Sequence, residues 1–263
     1  MRFENQIAII TGAASGMGRA TAQLMASRGA AVAINDVNGQ GLAEVEDELR
    51  AKGARVLAAA GSIGDRSFVT EMTAQVVRDW GGVDTLFNVA GYAAYGPAEA
   101  YDVWDEMVNV NMSGTYYFCR EVARQSMIPN RKGAIVNVAS LSGLVAHPND
   151  VGYIAAKHGV VGITKSLAVE WARYNIRVNC ICPGFTMTGI FEAVTKEEPD
   201  RFASRARKTP LGRAADPREQ ATVMAFLNSN DASYVTGVIM PVDGGNMALS
   251  SGWFPPELSP AQG

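Results

Sequence analysis

The sequence predicts an open, doubly wound α/β fold: a parallel sheet of about seven strands with helices on both faces, in one domain over residues 1–263. Three observations carry this reading. Strand-like and helix-like stretches alternate about six times along the chain, which is the pattern of βαβ units. The strand-like runs are continuously apolar and not alternating, as strands covered on both faces must be. No linker or internal repeat divides the 263 residues, a length that suits one large domain.

The elements follow in order. "IAIIT" (7–11) is a first strand, and residues 20–28 are helical up to Gly29. "AVAIND" is a second strand, followed by a helix over 42–52 that Gly53 stops. "RVLAAA" is a third strand before a helix over 68–80 closed by Gly81 and Gly82. "VDTLFNVA" is a fourth, and residues 103–127 form a long helical region ended by Pro129. "GAIVNVAS" is a fifth strand and 152–174 a helix; "IRVNCICPG" is a sixth strand and 217–228 a helix; "GVIMPVDGG" closes the series. Parallel crossovers are right-handed, which fixes the winding. Residues 185–213 are polar and without period and read as a lid insertion; residues 247–263 form a tail containing "WFPP".

Composition bounds the function. Hydrophobic residues make up 48% and charged residues 19%, which excludes a disordered chain. The net charge is −3 and Lys and Arg are scattered, so neither nucleic acid nor an anionic membrane is expected as a partner. Cys119, Cys180 and Cys182 are an odd number without a disulfide framework, pointing to a reducing compartment. Cys180 and Cys182 lie two apart in a strand-like run and are expected on opposite faces, a poor metal pair. With His147 and His158 the only histidines, no metal site is expected. The opening "MRFENQIAIITG" runs straight into a strand pattern, and no run of 18 apolar residues occurs. A cytoplasmic protein is expected.

"TGAASGMG" (Thr11–Gly18) lies between the first strand and the first helix. Gly12 permits a sharp turn, Gly16 lets a pyrophosphate approach the backbone, and Gly18 lets helix and strand pack closely. The helix start offers free N–H groups and a positive dipole end. A glycine pattern alone equally marks a tight turn; the strand–turn–helix setting separates the two readings. Asp36 ends the second strand, 18 residues after Gly18. A carboxylate there accepts the ribose hydroxyls of adenosine and repels a 2′-phosphate. No basic residue stands at 37 or at 13–17, which favours NAD over NADP. The rival reading of Asp36 is a turn-forming "NDVNG" loop.

Tyr153 and Lys157, four residues apart on a helix, share a face. A tyrosine of ordinary pKa, about 10, is too weakly acidic to serve as a base near neutrality. A neighbouring ammonium, or the positive ring of an oxidised nicotinamide, lowers that value and permits general acid–base catalysis at an alcohol oxygen. Ser140 falls at the end of the fifth strand, beyond which ligands of such sheets bind, and so is placed to hydrogen-bond a substrate oxygen. Asn111, polar in mid-helix, can bind water or a backbone carbonyl and link Lys157 to solvent.

Taken together, these motifs resemble the short-chain dehydrogenase/reductase family, of the single-domain NAD-dependent type with a Rossmann fold, from about Glu4 to Asn246. The family's TGxxxGxG matches Thr11–Gly18, and its NNAG appears as Asn88-Val89-Ala90-Gly91. Its active-site Asn, Ser, Tyr and Lys fall on Asn111, Ser140, Tyr153 and Lys157; its PG motif falls on Pro183-Gly184, with the nicotinamide-amide Thr at Thr188. The resemblance implies cofactor contacts at Gly12, Ser15, Gly16, Met17, Gly18, Asp36, Ser62, Ile63, Asn88, Ala90, Gly91, Tyr153, Lys157, Pro183, Gly184, Thr186 and Thr188. Tyr153 would be the acid/base, Ser140 would orient the substrate oxygen, Lys157 would bind ribose and lower the tyrosine pKa, and Asn111 would hold a proton-relay water. Two positions depart from the family. Val89 replaces the second Asn of NNAG and should soften one structural hydrogen bond; Ser62 replaces an adenine-facing Asp, with Ile63 packing on the adenine.

The substrate side is expected from Ser140, Tyr153, Tyr92, His147 and Phe185, beside Ala93, Leu141, Val145, Met187 and the lid. These are mostly apolar, so a neutral, moderately apolar secondary alcohol or its ketone is expected. Asp150 would disfavour a carboxylate if it faces the site. Arg201, Arg205, Arg207 and Lys208 would either meet a distal anion or form a solvated helix face. The resemblance also implies a homotetramer, with Trp253 and Phe254 of the tail covered by a neighbour. Rival readings are a 3-oxoacyl-[acyl-carrier-protein] reductase, which usually prefers NADP, and a non-catalytic nucleotide-binding sensor, which need not keep the four active-site residues together. A sugar-nucleotide epimerase would space its glycines differently.

Overall fold

The computed structural model describes residues 2–188 and 206–249. β1 (Ile7–Thr11), β2 (Ala31–Asp36), β3 (Val56–Ala60), β4 (Thr85–Asn88), β5 (Gly133–Val138), β6 (Ile176–Pro183) and β7 (Ile239–Val242) form one sheet in the order β3-β2-β1-β4-β5-β6-β7. Every ladder is parallel. The chain winds outward in one direction from β1 and in the other from β4. Their carboxyl ends therefore frame the crevice where such sheets bind ligands.

The helices are α1 (Gly16–Ser27), α2 (Gly39–Ala51), α3 (Arg66–Trp80), α4 (Trp104–Val108), α5 (Thr115–Val122), α6 (Ile128–Asn130), α7 (Val151–Trp171) and α8 (Pro217–Asn228). Alternation along each strand divides the core in two. From β1, Ala8 and Ile10 face the layer holding Leu24, Leu42, Val45 and Met224, while Ile9 faces the layer holding Val69, Val76, Phe118 and Trp171. The strands read as apolar throughout because both faces are covered.

Several expectations change in detail. The long helical region is not uniform: π-helical turns over Asn109–Gly114 and Ala123–Met127 separate α4, α5 and α6. It also runs through Pro129 to Asn130. The π turn ahead of the proline has already broken the regular ladder, so the missing N–H removes little. The fourth strand is confined to Thr85–Asn88 and the seventh to Ile239–Val242. Cys180 and Cys182 share one face and one buried cluster with Ala139 and Val160. The expected opposite faces are incorrect, because a strand repeats every two residues. Of the lid expected over 185–213, residues 189–205 lie outside the described residues, among them Arg201 and Arg205. So do residues 250–263 of the tail, with Trp253 and Phe254. Among the described residues, no helix is long and apolar enough to cross a membrane.

Candidate active site

The glycine turn joins the two halves of the crevice. Gly12 has φ +68°, and a Cβ there would stand 2.8 Å from the Cα of Ala90, so only glycine fits between the ends of β1 and β4. A Cβ on Gly18 would collide with the Gly12 carbonyl, which is the close packing expected of that position. The Thr11 hydroxyl accepts the backbone N–H groups of Val89 and Ala90, each at 3.0 Å. Val89 thus holds its place through its backbone, and its side chain packs on the apolar core. α1 begins at Gly16 with exposed Ser15 as an N-cap that makes no side-chain bond, and its first turn carries no acidic residue. The N–H groups around Met17 and Gly18 are left at a positive dipole end. Thr188 stands beside Gly16, where its Cγ2 would meet an added Cβ at 3.3 Å.

Asp36 ends β2 in the same crevice. Its Oδ2 accepts the Ala14 N–H at 3.0 Å and its Oδ1 the Asn38 N–H at 2.9 Å, so the carboxylate steadies the glycine loop while keeping lone pairs for further donors. Ser62 accepts the Gly64 N–H at 3.2 Å, and Ile63 is buried against Gly114 in the π-helical turn.

Two expected cofactor residues are turned into the protein. Asn88 is buried and donates to the Asn137 Oδ1 at 2.9 Å and the Cys119 Sγ at 3.2 Å; Asn137 in turn donates to the Thr164 hydroxyl at 3.0 Å. This strut ties β4, β5, α5 and α7 beneath the site. The buried Thr186 hydroxyl donates to the Gly184 carbonyl and accepts from Gln220, both at 3.3 Å. Pro183 ends β6, and Gly184 backs closely onto Asp243.

Four expected catalytic side chains do come together. Asn111 lies in the π-helical turn and is fully buried; its Nδ2 donates to the Tyr92 carbonyl at 3.0 Å and the Met107 carbonyl at 3.2 Å, while its Oδ1 has no partner. A Cβ added to Gly91 would stand 2.5 Å from that Oδ1 and 3.4 Å from the Lys157 Nζ, so both groups address one space. Lys157 is buried, donates to the Val138 carbonyl at 3.0 Å, and keeps two further N–H bonds. Burial lowers its pKa to about 8, opposed by the Cys180 and Cys182 thiols.

The Lys157 Nζ lies 5.4 Å from the centre of the Tyr153 ring. Burial raises the Tyr153 pKa to about 12; the hydrogen bond with Ser140 opposes the rise, and Tyr95 and Asp150 add to it. The sequence led us to expect the opposite direction, with Lys157 lowering this value. Burial sets the direction in the free protein, and the Lys157 ammonium donates to the Val138 carbonyl.

The substrate-side residues divide. The Tyr92 hydroxyl is buried on the side of Glu106, and burial first, then that carboxylate, raises its pKa; only its backbone joins the Asn111 network. Phe185 is partly buried in the turn after β6, its carbonyl accepting the Ala215 N–H at 2.9 Å. The His147 Nε2 lies 2.9 Å from the Ser142 hydroxyl, and its Nδ1 lies 3.7 Å from the Asp150 carboxylate. Asp150 is buried, so it does not present an open charge to a substrate. Arg207 and Lys208 are exposed, as on a solvated face. Among the described residues, no group of three or more His, Cys, Asp or Glu is placed to hold a metal. Sequence reasoning missed Thr11, Asn137, Thr164 and Ser142. The spacing of Ser140 and Ser142 was available as a signal, whereas the strut appears only once the strands are paired.

Comparison with known proteins agrees with this geometry. A family model described as Enoyl-(Acyl carrier protein) reductase matches residues 12–246. Cis-4-hydroxycyclohexanecarboxylate dehydrogenase of Sinomonas cyclohexanicum is 39% identical, over 94% of this chain and 98% of that one. The 3-oxoacyl-[acyl-carrier-protein] reductase FabG of Thermotoga maritima is 38% identical, over 93% of this chain and 99% of that one. The crystal structure of levodione reductase superposes with a TM-score of 0.87 at 35% identity, covering 94% of this chain and all of that one. Sequence, topology and site geometry thus agree that the chain belongs to the short-chain dehydrogenase/reductase family, oxidoreductases that act on CH–OH groups with a nicotinamide cofactor.

Proposed function

We propose that this protein is an NAD-dependent oxidoreductase that interconverts a secondary alcohol and a ketone, with Tyr153 as the general acid/base. The observation that carries the proposal is the convergence of Tyr153, Ser140, Lys157 and Asn111 at the carboxyl edge of β4 and β5. The residues present fit a dinucleotide. The start of α1 offers uncapped N–H groups, Asp36 keeps free lone pairs, and an orphaned Asn111 Oδ1 and a Lys157 ammonium with spare donors face one space. When bound, the nicotinamide takes up or supplies the hydride. Ser140 donates to the substrate oxygen and fixes its position against the Tyr153 hydroxyl. In reduction Tyr153 gives its proton to that oxygen; in oxidation it receives it, aided by the positive charge of Lys157. Lys157 and Asn111 hold the ribose side and the proton path. Asp36 supports NAD over NADP, because a 2′-phosphate would bring like charge beside a carboxylate.

The FabG relative supports a second reading, reduction of a 3-oxoacyl thioester. Asp36 weighs against it. A panel of cyclic and open-chain secondary alcohols with NAD⁺ or NADP⁺, followed by absorbance of the reduced cofactor, tests the choice. Turnover of neutral alcohols with NAD⁺ is expected, and Asp36→Ala should narrow the preference for NAD⁺. Activity confined to 3-oxoacyl thioesters with NADPH would overturn the main reading. Assembly as a homotetramer in the cytoplasm completes the proposal, supported by exposed Tyr116 on α5 and Val169 on α7 and by three unpaired cysteines.

A further inference from the structure

Asp150 stands where a helix cap belongs and does not cap. It precedes α7 in a conformation that is neither extended nor helical (φ −145°, ψ 31°) and makes no side-chain bond to the helix. Asn149 before it takes the left-handed conformation (φ 65°), which turns the chain at this point. The Asp150 carboxylate is 1% exposed, and neither oxygen has a hydrogen-bond partner. Buried carboxylates without partners are costly, so this one calls for an explanation.

The nearest ring gives one. The His147 Nδ1 lies 3.7 Å from the Asp150 Oδ2. The other ring nitrogen, Nε2, lies 2.9 Å from the Ser142 hydroxyl, and the Ser142 N–H donates to the Ser140 Oγ at 3.1 Å. A line of close contacts therefore runs from Asp150 to His147, 3.7 Å apart and wider than a hydrogen bond, on to the Ser142 hydroxyl, and through the Ser142 N–H to Ser140, which neighbours Tyr153. The titratable groups that couple to Asp150 are His147 from the loop, Tyr101 from the segment before α4, and Tyr153 from α7 itself.

We propose that Asp150 and His147 are positioning residues for Ser140. Ionised Asp150 keeps the proton of His147 on Nδ1, so Nε2 accepts from the Ser142 hydroxyl. The 141–143 turn is thereby locked with its Ser142 N–H on the Ser140 oxygen, leaving the Ser140 hydroxyl hydrogen free for the substrate. Burial raises the Asp150 pKa to about 6, and His147 opposes the rise. Since the network needs the carboxylate, it assembles as pH rises through about 6 and fails below it. The catalytic part of this inference rests on the assignment of Ser140 under Proposed function.

The experiment has two arms. Nitrogen NMR of the two histidines reads the tautomer without turnover: Nδ1–H is expected for His147 in the wild type, and a shift toward Nε2–H in Asp150→Asn. The second arm is a cycle of Asp150→Asn, His147→Ala and the double variant. Each single change should lower kcat/KM about tenfold, the double should be no worse than either, and the fall below pH 6 should flatten in Asp150→Asn with cofactor affinity unchanged. An Nε2–H tautomer in the wild type, or losses that simply add, would overturn the proposal. If no alcohol is turned over at all, the functional reading fails, while the tautomer arm still decides the network.

Discussion

Tyr153 keeps its proton across the physiological range in the free protein, since burial holds its pKa near 12. As a donor in ketone reduction it is therefore always in the right form. As an acceptor in alcohol oxidation it is rarely so, and its availability grows with each unit of pH. Oxidation should climb from pH 6 to about 8 and flatten above it as Lys157 loses its charge, while reduction should not rise over the same range; rate profiles in both directions check this. Tyr153→Phe should lower turnover by about 10²–10⁴-fold while cofactor binding by calorimetry persists. Asp150 carries an opposite cost. Its pKa of about 6 lies above the ordinary carboxylate value of about 3.9, so the folded protein binds this proton more tightly than the unfolded chain. Stability is then lost as pH rises between those values. Asp150→Asn should stabilise the protein by about 2 kcal/mol at pH 8, with the gain vanishing below pH 4; urea titrations at the two pH values measure it.

At the scale of elements, what could be read in the sequence follows periodicity, and what could not follows its absence. The strands were placed within a few residues because an apolar run is its own signal. The starts of α1, α2 and α3 lie two to four residues earlier than periodicity indicates: Gly16, Gly39 and Arg66 carry no apolar pattern. Asn38 and Asp65 bond the first turns of α2 and α3, and these cap residues were the better signal. The π-helical turn that presents Asn111 leaves no trace in a 3.6-residue pattern. Asn111, Ser140, Tyr153 and Lys157 were legible through motif and spacing. The direction of Asn88 was not, because it depends on which neighbours fill the interior at the end of β4. Its partner Asn137 gives a test. Asn137→Ala would take one buried partner each from the Asn88 amide and the Thr164 hydroxyl, leave their bonds to Thr115 and Val160, and remove buried volume, so a loss of about 1–3 kcal/mol in urea unfolding is expected.

For the whole molecule, assembly is the open quantity that the surface addresses. Val169 is 83% exposed and Tyr116 40%, on neighbouring helices that pack against each other. Apolar groups so placed would be covered in the proposed homotetramer by a second copy of the chain. Light scattering should give a mass near four times 27.9 kDa, and Val169→Glu with Tyr116→Glu should reduce it. The strand order itself was not written in any local stretch; it follows from crossover rules and from which edges remain to be paired. It also leaves a seam. β1 meets β4 through three paired residues, Ala8, Ile9 and Ile10 with Thr85, Leu86 and Phe87, while β1 and β2 share five and β5 and β6 share six. The shortest ladder thus joins the two wings of the sheet, and the crevice lies across it. A dinucleotide seated there is a staple as well as a reagent. Cofactor binding should therefore raise the melting temperature of both wings together, adding to the packing of α1 on α8 that already crosses the seam.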